Sequence, residues 1–192
     1  LLIMGVNGAL LTGDLFNLFV FFEIMLAASY GLALHGSGEA RVRAGVIYIA
    51  VNLTASLLFL IGVSLIYGVT GTLNMADVAT RIATISVDDL GLFHIGAAVL
   101  GTAFLIKCAM WPLGFWLTPT YSAASAPAAA VFAILSKVGV YVVIRLSLLL
   151  FGADAGASAG FGLTWLFVGG LATIAFGTFG LIASRDLSRA AG

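Results

Sequence analysis

The chain has 192 residues, 62% of them hydrophobic and 8% charged, with a mean hydropathy of +1.19. Soluble domains carry about 25% charged residues, so this composition excludes an ordinary soluble fold and describes a multi-pass protein of the cell membrane. Eight basic residues balance eight acidic ones, and the basic ones are scattered, which leaves no footprint for nucleic acid. A single cysteine, Cys108, excludes an internal disulfide and a cysteine-held cluster. No stretch has the spacing of a metal site or a cofactor loop. Leu1 inside an apolar run and Gly192 just after a charged turn read as the cut ends of a longer polytopic protein, with no signal peptide.

Leu1 to Leu11 reads as the tail of a span. Thr12-Gly13-Asp14 makes a short connection with Asp14 as helix N-cap. The next span covers residues 14–34 and carries Glu23 in its middle. Nine residues at about 1.5 Å each put that carboxylate roughly 13 Å below the cap, near the bilayer centre. There it must be protonated or meet a cation on another helix. Gly36 to Arg43 is a polar loop with Glu39, Arg41 and Arg43. A long span follows over 44–67, in which Asn52, Thr54 and Ser56 are expected to hydrogen-bond between helices. Gly68 to Asp89 is the longest non-spanning segment. Met75, Val78, Ala79 and Ile82 recur there at helical spacing and predict a short surface helix.

Gly101 to Thr120 holds the strongest signal. Lys107 sits in an apolar helix, where a lysine costs roughly 2.5–3.5 kcal/mol on insertion scales. Pro112 follows, and with no N–H it leaves the carbonyl of Cys108 without a helical partner. Pro119 lies beyond it. Unbroken, residues 91–121 would reach about 46 Å, against a hydrocarbon core of about 30 Å. A helix break at Pro112 and Pro119 is therefore predicted on length as well as on proline. A cation suits the C-terminal end of a half-helix, and a charge at a helix break is the usual design of an ion path. The plain alternative is a kinked helix whose lysine snorkels.

Ser122 to Pro127 is a small-residue connection, with Pro127 in the first turn of the next helix. That span, 128–151, holds Lys137 near its middle and Arg145 eight residues on, where snorkelling explains it. A Gly/Ala/Ser loop with Asp154 leads to a last span over 163–183, and Ser184 to Arg189 opens another helix. Arg41 and Arg43 lie four spans from Arg185 and Arg189, so both basic loops mark one side, the cytoplasmic side. Asp77, Asp88, Asp89 and Asp154 fall on the other. The fold class is all-α: a polytopic transmembrane helix bundle with at least one proline-broken helix, forming a single transmembrane domain over 1–192.

Glu23, Lys107 and Lys137 remain near mid-depth, each on a different span. Together they cost roughly 8–10 kcal/mol to insert, which ordinary packing does not explain. A Glu–Lys pair lowers the cost of both charges, and a lysine that can lose and regain its proton is a relay element. These three are the candidate proton-transfer groups. His35 and His94, near span ends, are secondary relay candidates, although interfacial histidine is the usual reading. Cys108 reads as a small core residue. A structural alternative has the buried charges only locking helix packing.

GDLFNLFVFFEIMLAASY (Gly13 to Tyr30), FLIKCAMWPLGFWLTPTYSAASAP (Phe104 to Pro127) and LSKVGVYVVIR (Leu135 to Arg145) resemble the proton-antiporter-type membrane subunits. That family joins the antiporter-like subunits of respiratory complex I and the large subunits of Mrp-type multisubunit cation/proton antiporters. SRDLSR (Ser184 to Arg189) is similar to the family's D-x-K-R motif, with Ser188 in place of lysine. TGDLFNLFVFFE (Thr12 to Glu23) and GTLNMADV (Gly71 to Val78) resemble the D-type subunit of Mrp antiporters. Complex I members usually read PLHGWLPDAH where this chain reads PLGFWLTPTY, with Gly114 at the histidine's place and a further departure at Thr118. The resemblance implies a full subunit of roughly fourteen helices, whose second broken helix lies outside these residues. It implies that Glu23 pairs with Lys107 and that Lys107 passes protons towards Lys137. It also implies a lipid-embedded place among other subunits of a multisubunit complex, no cofactor, and H⁺ with Na⁺ or another monovalent cation as the ions. The location implied is the bacterial inner membrane. The rival implied is a proton-pumping, non-redox subunit of an NADH:quinone oxidoreductase or a membrane-bound hydrogenase.

Overall fold

The computed structural model describes residues 1–36 and 38–184, and the described residues form helices and connections with no strand. The helices are α1 (Leu2–Leu11), α2 (Leu15–Leu34), α3 (Glu39–Thr70), α4 (Met75–Ile82), α5 (Val87–Lys107), α6 (Leu117–Ala123), α7 (Ala126–Leu150) and α8 (Leu163–Ala183). Five of the described helical segments are long and apolar enough to cross a membrane: α2, α3, α5, α7 and the one ending with α8. The basic stretch with Arg185, Ser188 and Arg189, expected to open another helix, lies outside the described residues.

Side-chain caps set several helix starts, because the first N–H groups of a helix have no partner within it. Asp14 accepts from the Asn17 N–H at 2.8 Å, Asn74 accepts from Ala76 and Asp77, and Ser86 accepts from Asp89. The starts of α2 and α4 are also tied to each other. Leu15 N–H donates to the Leu73 carbonyl at 2.9 Å, and Met75 N–H to that of Gly13 at 2.8 Å. Met75, Val78 and Ile82 bury one face of α4, while Arg81 on its outer side pairs with Asp77 at 3.0 Å.

The polar loop expected over Gly36 to Arg43 is shorter than its charges suggest. α3 already begins at Glu39, because EARVRA is rich in helix formers and a glutamate in the first turn suits the helix dipole. Thirty-two residues reach about 48 Å, well beyond a hydrocarbon core of about 30 Å, so an end of α3 stands clear of it. From that start Arg41 donates to the carbonyls of His35 at 2.6 Å and Ala123 at 2.9 Å. One end of the bundle therefore gathers the ends of α2 and α6 around Arg41. At the opposite end Arg145 donates to the Thr12 carbonyl at 2.7 Å, and the Tyr141 hydroxyl to that of Leu10 at 3.0 Å. Arg145 does more than snorkel. It is half-buried and satisfies carbonyls at the end of α1 that have no partner of their own.

The centre is the crossing of α3 and α5. A Cβ on Gly62 would lie 2.7 Å from the Leu100 nitrogen, and one on Gly96 would lie 2.9 Å from Leu65 Cβ. Only residues without a side chain let the two backbones approach this closely, a packing mode typical of membrane helices. Beside the crossing, Phe59 meets Phe104 at 4.8 Å between ring centroids, and Phe22 meets Phe104 at 5.7 Å. α8 differs from the rest. None of its residues is buried, and it is held through Trp111, whose N–H donates to Thr173 Oγ1 at 3.0 Å and whose ring lies near Phe176.

Candidate functional site

The broken span is a stop and a restart. α5 ends at Lys107; Ala109 N–H then donates to the Ile106 carbonyl at 3.1 Å and Met110 N–H to that of Leu105 at 3.0 Å. This is a Schellman ending, with Ala109 in the left-handed region at φ 57°. The helix therefore stops before Pro112, which lies in the irregular stretch 108–116, while Pro119 occupies the first turn of α6, where proline is tolerated. Trp116, buried, donates its indole N–H to the Ile106 carbonyl at 3.1 Å. A Cβ on Gly114 would collide with the Ala109 carbonyl oxygen, so the turn requires glycine there.

This ending puts Lys107 at the C-terminal, partially negative end of α5, where a cation is favoured. Its side chain is only 4% exposed. Nζ donates to Ser56 Oγ at 3.2 Å and lies 5.3 Å from the centre of the Phe22 ring, within cation–π range. Ser56 on α3, 5% exposed, donates in turn to Glu23 Oε1 on α2. Three spans thus contribute one group each to a single hydrogen-bonded chain, Lys107–Ser56–Glu23, and the Phe22 ring beside Nζ packs in turn on Phe59 and Phe104. Among the described residues the only ion pair is that of Asp77 with Arg81. The carboxylate and ammonium are joined through a hydroxyl, and not by direct contact.

Lys137 is placed differently. It is exposed on α7 and makes no hydrogen bond, ion pair or ring contact among the described residues. Gly139, two residues on, is buried, and a Cβ there would lie 3.1 Å from the Cys108 nitrogen. Residues two apart face roughly opposite sides of a helix, so α7 touches the break with one face and carries Lys137 on the other. His35 is exposed at the end of α2. His94 is half-buried, stacked on Phe161 at 4.3 Å, with Nε2 at 3.0 Å from Ser158 Oγ, and so it fastens the α7–α8 connection to α5.

Of the three small polar groups on α3, only Ser56 bonds across helices. Asn52 donates to the Tyr48 carbonyl and Thr54 to that of Ala50, both one turn back on their own helix. The buried stripe Tyr48, Asn52, Ser56, Phe59 and Val63 excludes the exposed Thr54 but holds Asn52 and Ser56 alike, so periodicity narrows the three candidates to two. From Glu23 towards the Arg41 end the polar groups continue. Ser29 and Tyr48 share a hydrogen bond of 2.7 Å, and the hydroxyl of Tyr30 is buried without a partner among the described residues.

A polytopic membrane protein with a buried lysine at a helix break, linked through a hydroxyl to a half-buried glutamate, is the class these features define. The chain belongs to the family described as NADH:quinone oxidoreductase/Mrp antiporter, transmembrane, whose profile matches residues 12–191. It is 65% identical over 192 residues to a protein of Rhizobium meliloti (strain 1021) named as the probable D-type subunit of a K(+)/H(+) antiporter, covering 100% of this chain and 36% of that protein. Its fold is similar to that of a chain in the Mrp complex from Dietzia sp. DQ12-45-1b, with a TM-score of 0.80 and 38% identity over 94% of this chain and 33% of that one. It is also similar to a chain of the membrane-bound sulfane sulfur reductase, an archaeal respiratory membrane complex. There the TM-score is 0.90 and the identity 30%, over 98% of this chain and 38% of that one. The chain thus spans about a third of the length of these proteins.

Proposed function

We propose that this chain is the proton-handling part of the D-type subunit of an Mrp antiporter, exchanging H⁺ for a monovalent cation, K⁺ or Na⁺, across a bacterial inner membrane. The observation that carries the reading is the Lys107–Ser56–Glu23 chain spanning α5, α3 and α2, with Lys107 and Ser56 buried and Glu23 half-buried. Its charges cost too much to insert for packing alone to account for them, and 65% identity to a protein named for K⁺/H⁺ antiport supports the cation coupling. In this reading Glu23 and Lys107 exchange protons and Lys137 is the next station. The polar groups Tyr30, Ser29 and Tyr48 line the approach from the Arg41 end, which faces the cytoplasm. The partners are other membrane subunits of one complex, as the likeness to chains of two membrane complexes supports.

A second reading is a proton-pumping subunit driven by redox chemistry elsewhere in its complex, and the TM-score of 0.90 to a chain of a respiratory complex favours it. Proton flux in inverted vesicles separates the two when it is measured with and without added K⁺ or Na⁺ in the assembled complex. The antiporter reading expects cation-dependent flux that Glu23→Gln and Lys107→Met each abolish while assembly on a native gel is unchanged. Normal flux from either variant contradicts the assignment of that residue. Flux indifferent to both cations contradicts the antiporter reading.

A further inference from the structure

We propose that the Ser56 hydroxyl is the bridge through which Lys107 and Glu23 exchange a proton. The inference rests on the reading of those two residues as transfer groups, and it assigns the step between them.

Proton transfer needs donor and acceptor within hydrogen-bond reach, about 2.6–3.2 Å between heavy atoms, or linked through one water. Lys107 and Glu23 do not meet directly among the described residues; both meet Ser56. A hydroxyl is a donor and an acceptor at once, and both capacities are in use here. Its oxygen accepts from Nζ at 3.2 Å, and its hydrogen is directed to Oε1 of Glu23. It does what an intervening water would do, but it is fixed covalently to α3. The Gly62/Gly96 crossing holds α3 against α5, so the bridge keeps its place as the charges change. An apolar side chain of equal size would fill the same space and break the chain.

The step balances. One N–H bond of the Lys107 ammonium breaks as an O–H bond forms on Ser56. The hydrogen that Ser56 already carried leaves its oxygen and bonds to Glu23. Two bonds break and two form, the serine holds one hydrogen before and after, and an ammonium–carboxylate pair becomes an amine and a carboxylic acid. Nothing is oxidised or reduced. Both end states are tolerable at membrane depth, because one is a bridged pair of opposite charges and the other is neutral. The transfer also links the two ends. Glu23 cannot gain this proton unless Lys107 loses it, which leaves Lys107 ready to take up another.

The test uses Ser56→Thr and Ser56→Val in the full-length subunit of its assembled complex, with proton flux read in inverted vesicles. Threonine and valine are nearly equal in volume and shape, so packing is matched and only the hydroxyl differs. S56T is expected to exceed S56V in flux by about 100-fold, the lower end of what a positioned proton-transfer group contributes, with equal assembly on native gels. Equal flux from the two would overturn the bridge. Should S56V assemble poorly, S56A is compared with the unsubstituted subunit, from which it differs by the hydroxyl alone, and equal flux from those two overturns the bridge in the same way. Glu23→Gln and Lys107→Met are measured alongside. If both abolish flux while S56T and S56V conduct equally, the pair stands and the bridge falls. If Glu23→Gln and Lys107→Met conduct normally, the pair falls and the bridge falls with it.

Discussion

Lys107 and Lys137 are the same residue type in two apolar membrane helices, but their surroundings are opposite. Lys107 ends α5, is 4% exposed, and has a hydroxyl and an aromatic ring as neighbours. Lys137 stands in the middle of α7 on the face away from the break and has no partner among the described residues. The difference arises from backbone geometry. A Schellman ending places the first lysine at the negative end of a helix, whereas the buried Gly139 commits the opposite face of α7 to packing. A membrane lysine therefore takes its role from the helix face and helix end that carry it.

Lys137→Arg probes the comparison with the largest expected effect. Arginine keeps the positive charge and a similar reach, but it stays protonated up to about pH 12 in any site. A variant that assembles normally and loses flux by about 100-fold, the scale of a lost transfer group, is expected in vesicle assays. Near-normal flux would mean that Lys137 need not deprotonate, and it would leave Lys107 as the working lysine. A smaller effect is expected from Gly62→Ala, which touches no charge. Its Cβ would lie 2.7 Å from the Leu100 nitrogen, forcing apart the helices that carry Ser56 and Lys107. The expected loss is about 1–3 kcal/mol of stability, typical of overpacking, measured by denaturant titration of the solubilised complex. An unchanged midpoint would show that the crossing has slack.

Residues that contrast with an apolar background are legible in the sequence. Asp14 as a cap, the surface helix at Met75 to Ile82, Glu23 and Lys107 all stand out by residue type, and the structure has the cap and the helix where the pattern puts them. Facing is not legible for Lys137. A helix apolar on every side has no hydrophilic face to oppose a buried one, so sequence alone does not turn Lys137 away from Lys107. Pattern points to Pro112 as the helix stop because proline is conspicuous; the residue that adopts the left-handed conformation is Ala109, and an alanine gives no warning of it. Ser56 groups with Asn52 and Thr54 by polarity, which does not separate a bond across helices from one back to the same helix. The early start of α3 is hidden for a related reason. Glu39, Arg41 and Arg43 have the charge of a loop but the propensity of a helix.

The most direct measurement is a pair of double-mutant cycles sharing one residue. Glu23→Gln is combined with Lys107→Met in one and with Lys137→Met in the other, and unfolding free energies are taken by denaturant titration of the assembled complex. Groups in one hydrogen-bonded network couple by about 0.5–3 kcal/mol, and independent sites add within about 0.5 kcal/mol. The expected result is coupling of about 1–3 kcal/mol in the Glu23–Lys107 cycle and additivity in the Glu23–Lys137 cycle. Additive losses in the first cycle would contradict the joined Lys107–Ser56–Glu23 unit on which the functional reading stands.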